Sequence, residues 1–189
     1  MKKLVLVILL LFTSLVSFSQ KDSIFDRLQA IKNVDVTYYS IGGFTITKQH
    51  LNHPFNSKGL KKAYRKYSIK KNEIKTSDTQ LNYENYYVTN EEKVTDELTQ
   101  NNSYYFIKNY DLITVIQLCT FDKRNKEFER LMVSHIIERT IPKENFSSIR
   151  IDSINFAGRK IKLGSNCNWM GVNNVQFPYY GQMNWSIHT

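Results

Sequence analysis

The sequence predicts an α+β fold, with an antiparallel β-sheet and two to four helices packed mainly on one face. Segments with helical and with strand periodicity follow one another as helix, strands, helix, strands, without the sustained strand–helix alternation of a parallel sheet. No repeat of roughly 20 to 50 residues is present, which excludes a solenoid. Of the 189 residues, 41% are apolar and 13% are aromatic, which is enough for a packed core and excludes wholesale disorder.

The N-terminal part of the chain predicts a helix, a strand pair and a loop. Residues 21–32 repeat their apolar residues at helical spacing after an Asp-Ser pair that can cap a helix. Residues 34–47 alternate in polarity on either side of a Gly-Gly pair, which predicts two strands joined by a turn. Residues 50–59 contain a proline and a glycine and are expected to be a loop.

A basic run follows at residues 58–75, where eight Lys and Arg residues face one acid, Glu73. We expect it to be a helix to about residue 67 and then a strand. Two interpretations are open. The run is either a solvated helix face, which we favour, or a surface for a polyanion on which Tyr64 and Tyr67 offer stacking rings.

The centre of the chain predicts a strand, a helix and a strand pair. Residues 83–89 have strand character, and the capping box that follows predicts a helix over 91–100. Residues 104–108 and 112–121 predict two strands around a three-residue hairpin loop. The second of these is almost wholly apolar and β-branched, which is typical of a central strand covered on both faces.

Residues 126–139 are the clearest helix, and Pro142 ends it. Residues 149–156 predict a strand whose apolar phase slips at Ser153, followed by a turn into a strand at 160–163. The expected inward stripe of the helix is Phe128, Leu131, Met132, His135 and Ile136.

The first 19 residues predict a cleaved secretory signal. Two lysines precede an apolar run of about 13 residues, short of the roughly 18 to 20 that a spanning helix needs. Small residues at 17 and 19 suit cleavage after Ser19. No Pro/Gly/Ser-rich linker divides residues 20–189, which we expect to form a single α+β domain without a membrane span. We therefore expect an exported protein of the periplasm or the extracellular space.

The charge of the mature chain bounds its partners. Removal of residues 1–19 takes two lysines and no acid, so the formal charge falls from +9 to +7. Export makes nucleic acid an unsuitable partner, whereas acidic glycans and anionic lipid headgroups remain open. We expect no cofactor.

The signal ending Ser-Phe-Ser-Gln, together with a mature chain rich in Lys, Asn, Ile and Tyr, resembles exported proteins of the Bacteroidetes. Such organisms O-glycosylate exported proteins at Asp-Ser or Asp-Thr followed by an aliphatic residue. The resemblance implies Ser23 and Ser153 as acceptor sites, since both stand in Asp-Ser-Ile. It implies no fold and no activity.

Motifs for catalysis and metal binding are sparse. The chain has no G-x-S-x-G, H-E-x-x-H or P-loop motif, and we do not expect an enzyme. His50 and His53 are three residues apart and are the candidate metal ligands, although surface-loop histidines are the favoured interpretation. Cys119 is expected to be buried in its apolar strand and Cys167 to lie in a loop; the two either form a disulfide or leave one thiol buried, and a catalytic role for Cys167 is not favoured.

The C-terminal segment, residues 164–189, is expected to be loop with one or two short strands, and it carries the candidate ligand-binding residues. Two tryptophans stand beside side-chain amides there, and a Tyr-Tyr pair lies between them. Exposed aromatic rings offer flat apolar faces and amides offer paired donors and acceptors, a combination that suits a sugar or a protein partner. The other interpretation, which we favour for these residues, is that both tryptophans complete the core and the amides make turns, since a core needs large residues and the chain has two tryptophans. The candidates are Trp169, Tyr179, Tyr180, Asn184 and Trp185.

We therefore predict an exported, non-enzymatic binding module of the cell envelope whose partner is an envelope protein or a glycan. The alternative is an envelope hydrolase whose site no motif reveals, and a third interpretation is an inhibitor or immunity-type protein. Exposed tryptophan rings on one face would favour binding. Buried rings with a cleft near His50, His53 or Cys167 would favour catalysis.

Overall fold

The computed structural model describes residues 24–156, 158–177 and 181–185, and it confirms the α+β class. Its helices and strands form two sheets. In chain order they are β1 (Gln29–Lys32), β2 (Val36–Ile41), β3 (Phe44–Pro54), α1 (Ser57–Lys66), β4 (Asn85–Lys93), β5 (Thr99–Asn109), β6 (Leu112–Thr120), α2 (Lys126–Glu138), a 3-10 turn (Lys143–Asn145), β7 (Phe146–Ser147), β8 (Arg150–Phe156), β9 (Arg159–Gly171), β10 (Asn174–Phe177) and β11 (Gly181–Asn184).

The larger sheet has seven strands in the order β4-β5-β6-β3-β2-β1-β7. Its strands pair antiparallel except at the edge, where β7 runs parallel to β1, so the sheet is mixed. The second sheet is antiparallel, in the order β11-β10-β9-β8.

The two helices cover opposite faces of the larger sheet, one on each face, whereas we had expected most helices on one face. In β5, Tyr104 and Phe106 pack in the cluster under α1, while Tyr105 and Ile107 pack in the cluster under α2. Successive side chains of a strand point to opposite faces, so a strand that is apolar at every position needs cover on both. The same reasoning applied to β6 predicted a doubly covered central strand, and that prediction is confirmed.

Helix α2 is confirmed, with its buried stripe rotated by one residue from the expected one. Asn125 caps the N-terminus by accepting a hydrogen bond from the Phe128 backbone N–H at 3.0 Å. Leu131 is exposed, and the helix instead buries Glu129, together with apolar side chains. Those apolar residues are Met132, Val133 and Ile136.

Two predicted helices are strands. Residues 24–27 form a turn and lead into β1, because Ala30 and Ile31 are both buried where β1 pairs with β2 and β7. Residues 91–100 continue β4 to Lys93 and begin β5 at Thr99, with the two strands in register to their ends. In both places pairing with a neighbouring strand outweighs local helical spacing.

Several connections also differ from expectation. Strand β3 continues to Pro54, so the first part of the expected 50–59 loop is extended. The strand expected after residue 67 is absent within the described residues, where only an isolated bridge joins Thr76 to Tyr87. The C-terminal segment forms most of the second sheet, where a loop with one or two short strands was expected.

The predicted Gly-Gly turn between β2 and β3 is confirmed. Gly42 and Gly43 have φ of +54° and +77°, and a two-residue hairpin loop in a type I′ turn requires positive φ at both of its residues. The β5–β6 hairpin loop has two residues, Tyr110 and Asp111, because Asn109 and Leu112 still pair.

The predicted signal segment, residues 1–19, and the acceptor Ser23 lie outside the described residues. In the part of the chain that the structure describes, neither helix has the length and apolar character to cross a membrane.

Candidate functional site

A groove of about 950 Å³ lies between the second sheet and one end of the larger sheet. Helix α1 covers this face of the larger sheet only over β3 to β6, as the members of its apolar cluster show. Over β1 to β3 the same face presents Gln29, Ile31, Ser40 and Thr45, which alternate with residues that pack under α2. The groove therefore exists because the helix ends before the sheet does.

Trp169 and Trp185 line the groove from the second sheet. Trp169 is on β9 and Trp185 directly follows β11, and their ring centroids are 5.6 Å apart at an angle of 59°. Both rings are half-buried, since they pack against a small cluster of Ile154, Cys167 and Val175. Each indole thus has one part fixed by packing and another part available to the groove.

Polar side chains surround this aromatic pair. Arg27 and Arg150 line the groove, are exposed and form no ion pair among the described residues. Asp152 is the only acid in the lining that the structure describes, and its Oδ1 accepts a hydrogen bond from Ser153 Oγ at 2.8 Å. Further hydroxyl and amide groups come from Ser40, Thr45, Ser147, Ser148 and Asn173.

The structure brings together some of the predicted ligand residues and not others. Trp169 and Trp185 meet in the groove, as described above. Asn184 is exposed on β11, pairs across the sheet with Asn174 and is not part of the groove lining. Tyr179 and Tyr180 lie outside the described residues.

Sequence reasoning missed Arg27 and Arg150, which reach the groove from places far apart in the chain. One signal in the sequence that could have pointed to the groove is the slip in apolar phase at Ser153. The structure confirms it as a register shift between Ile151 and Ser153 in the pairing of β8 with β9. This irregularity lies where Ile151, Asp152, Ser153 and Ile154 all line the groove.

The two candidate metal ligands do not share a site. Both lie on the extended strand β3, whereas a shared ion would need a turn between them. His50 Nδ1 is 2.8 Å from Thr114 Oγ1, and His53 Nδ1 is 2.8 Å from the Asn52 carbonyl. Burial, and then the nearby charge of Lys48, lower the pKa of His50. No group of three or more His, Cys, Asp or Glu residues in the described ranges is placed to hold a metal.

Both cysteines are free thiols, so the structure does not contain the Cys119–Cys167 disulfide. They lie on different sheets, and each sulfur has a local partner. Gln117 Nε2 donates to Cys119 Sγ at 3.2 Å, and Cys167 Sγ donates to the Leu163 carbonyl at 3.4 Å. Cys119 is half-buried, and burial raises the pKa of its thiol to about 11. Cys167 was expected in a loop but is buried in β9.

A second polar cluster lies beneath α2. The Glu129 carboxylate, only 1% exposed, accepts hydrogen bonds from Ser103 Oγ at 2.8 Å, Tyr105 OH at 3.2 Å and Tyr87 OH at 3.3 Å. Burial raises the pKa of Glu129, and these hydroxyl donors partly oppose the rise. Because the carboxylate of Glu129 is buried, we assign this cluster to the packing of α2 on the sheet.

Asp78 forms a second buried site beside α2. Arg130 Nε donates to both carboxylate oxygens, at 3.1 and 2.9 Å, and Lys126 Nζ is 3.6 Å away. Burial on its own would raise the pKa of Asp78. The hydrogen bonds from Arg130 and from the Gln80 backbone, together with the charges of Lys126 and Arg130, outweigh burial and lower this pKa.

The described lining of the groove contains no histidine, and its hydroxyl with a carboxylate partner is that of Ser153, which donates to Asp152. The thiol of Cys167 is buried and engaged with a backbone carbonyl. The groove offers a pair of flat apolar rings, several hydroxyls and two guanidinium groups that form no ion pair among the described residues.

Comparison of the chain with protein-family models, with curated proteins and with solved structures gives no match.

Proposed function

We propose that this protein is a non-enzymatic binding module of the cell envelope and that it binds a glycan in the groove between its two sheets. The observation that carries the proposal is the Trp169–Trp185 pair, half-buried and lining a groove otherwise rich in hydroxyl, amide and guanidinium groups. The predicted signal at residues 1–19 supports the cell envelope as the location.

Sugar rings match these groups for two reasons. The C–H face of a pyranose is apolar and flat enough to lie on an indole, while its hydroxyls need partners at the ring edge. Ser153, Asn173 and Arg150 can supply donors and acceptors at that edge. A purely apolar ligand would leave these polar groups unsatisfied, which costs free energy.

The chain carries its own reporter for the test, since Trp169 and Trp185 are its only tryptophans. Chitohexaose, xylohexaose and oligogalacturonate are titrated into the purified protein while tryptophan emission is followed. At least one oligosaccharide should give a saturable change. W169A and W185A, measured separately so that one reporter remains, should each weaken binding by about tenfold.

The matched control is Y110A, which removes an aromatic side chain that is 92% exposed at the β5–β6 hairpin, outside the groove lining. Its affinity should equal that of the wild type. Equal losses in Y110A and W185A, or no saturable response to any of the three sugars, would contradict the proposal. Release of new reducing ends during the same incubations would favour the hydrolase instead.

A further inference from the structure

The outer face of helix α1 carries five cations in one stripe. Counted from Lys58, they stand at intervals of 0, 3, 4, 7 and 8 residues, so they occupy about 140° of the helix circumference and about 12 Å of its length. All five side chains are exposed, and the opposite side of the helix packs on the sheet through Leu60 and Ala63. The stripe, called the α1 stripe below, is Lys58, Lys61, Lys62, Arg65 and Lys66.

No acid balances this charge. The sequence has no Asp or Glu between Asp35 and Glu73. Every ion pair found in the described residues is made by a cation at position 93 or later, so the α1 stripe is unpaired there. Like charges three and four residues apart on a helix repel each other.

The charges are also not arranged to stabilise the helix itself. A helix dipole favours anions in the first turn and cations in the last, yet the first turn of α1 has no acid and contains Lys58. Arg65 and Lys66 in the last turn suit the dipole, but Lys58 and Lys61 do not. A bound anion would offset both the repulsion and the unfavourable dipole contact.

The stripe is presented on a rigid element. Asn56 caps α1 by accepting a hydrogen bond from the Gly59 N–H at 2.9 Å. Tyr64 packs edge-on against Phe106, with ring centroids 4.7 Å apart. Tyr64 and Tyr67, considered as stacking surfaces from the sequence, are half-buried against the sheet, so the stripe offers charge alone.

We propose that the α1 stripe binds a linear polyanion, a polymer that repeats an anionic group along its length. Cations recur along one line at each helical turn, about 5.4 Å apart, which fits a rod of charges. Four of the five are lysines, which act as point charges and accept carboxylate, sulfate or phosphate alike. A bilayer is a poorer match, because the apolar side of α1 is already used in packing on the sheet.

The test compares two triple variants that each remove three positive charges. K58Q/K62Q/R65Q neutralises the α1 stripe, and K32Q/K123Q/K143Q neutralises exposed lysines elsewhere. Fluorescently labelled oligogalacturonate, heparin oligosaccharide and polyphosphate are titrated at low and at physiological salt, and anisotropy is measured. Binding to phosphatidylglycerol vesicles is measured by sedimentation. Circular dichroism checks that both variants are folded.

The wild type should bind at least one of these polymers, with an affinity that falls as salt rises. The stripe variant should lose about tenfold in affinity or more, and the control variant less than about threefold. The stripe variant should keep the wild-type tryptophan response to the neutral sugars chitohexaose and xylohexaose, which separates this surface from the groove. Equal losses in the two triple variants, absence of binding to all three polymers at low salt, or binding only to phosphatidylglycerol vesicles would overturn the proposal.

Discussion

Replacing Gly59 by alanine tests how closely α1 packs on the sheet. A Cβ added at Gly59 would lie 1.9 Å from the Pro54 carbonyl oxygen, whereas ordinary contact begins at 3.4 Å. Helix α1 would therefore have to move by about 1.5 Å, because the obstructing atom is backbone and no side-chain rotation can relieve the clash. The movement would also disturb the N-cap, in which the Asn56 side chain accepts a hydrogen bond from the Gly59 N–H.

The magnitude follows from opposing terms. Overpacking of this kind costs about 1–3 kcal/mol and loss of an N-cap about 1 kcal/mol, while alanine gains at most about 1 kcal/mol in helix propensity over glycine. The cap loss and the propensity gain nearly cancel, so we expect G59A to be destabilised by about 1–3 kcal/mol. Helix propensity taken alone predicts that G59A is more stable than the wild type. The direction of the change in stability therefore decides whether the clash with Pro54 or helix propensity dominates.

Urea unfolding followed by far-UV circular dichroism measures the change as a lower midpoint at constant m-value. The control is K61A, an exposed substitution on the same helix, which should stay within about 0.5 kcal/mol of the wild type. If G59A were as stable as the wild type, or more stable, the close packing of α1 on Pro54 would be refuted.

Two further predictions concern the carboxylates beside α2. Burial raises the folded pKa of Glu129, so the folded state keeps this proton to higher pH than the unfolded chain. The free energy of unfolding should then fall as pH rises from about 4.3 through the folded pKa. E129Q should lack this fall, which urea midpoints measured across this pH range would show. The same dependence of the midpoint on pH in E129Q and in the wild type would contradict the prediction. The pH dependence from Asp78 has the opposite sign. Its folded pKa is lowered, so its contribution to the free energy of unfolding is lost as pH falls. D78N should unfold at lower urea than the wild type at pH 7, and the gap should close towards pH 3; a gap independent of pH would contradict the assignment.

The buried carboxylate Glu129 shows where pattern reasoning failed for a physical reason. A helix stripe is found by its apolar residues, and a charged side chain is normally assigned to the outer face. Glu129 nevertheless stands at helical spacing with Met132, Val133 and Ile136. Three hydroxyls from β4 and β5 donate hydrogen bonds to its carboxylate, and no local pattern in the sequence of α2 predicts those partners.

In the basic run at residues 58–75 the helix was predictable from the sequence, but the orientation of its tyrosines was not. Periodicity predicted a helix to about residue 67, and α1 ends at Lys66. Whether Tyr64 and Tyr67 point outwards as stacking rings depends on what lies beneath the helix. The sheet supplies Phe106 and Tyr104 at that place, and the two tyrosines pack on them.

Local spacing, turn residues and apolar content were sufficient to predict the α+β class, helix α2, the Gly42-Gly43 turn, the doubly covered strand β6 and the slip at Ser153, because each is decided by neighbours in the chain. Only the tertiary structure decided that residues 29–32 and 91–93 are strands and that one helix covers each face of the larger sheet. It alone brought Arg27 and Arg150 to the tryptophan pair. The physical reason is that pairing with a neighbouring strand, and in the groove the approach of residues more than a hundred positions apart, supply contact free energy that exceeds the small local preferences of a sequence.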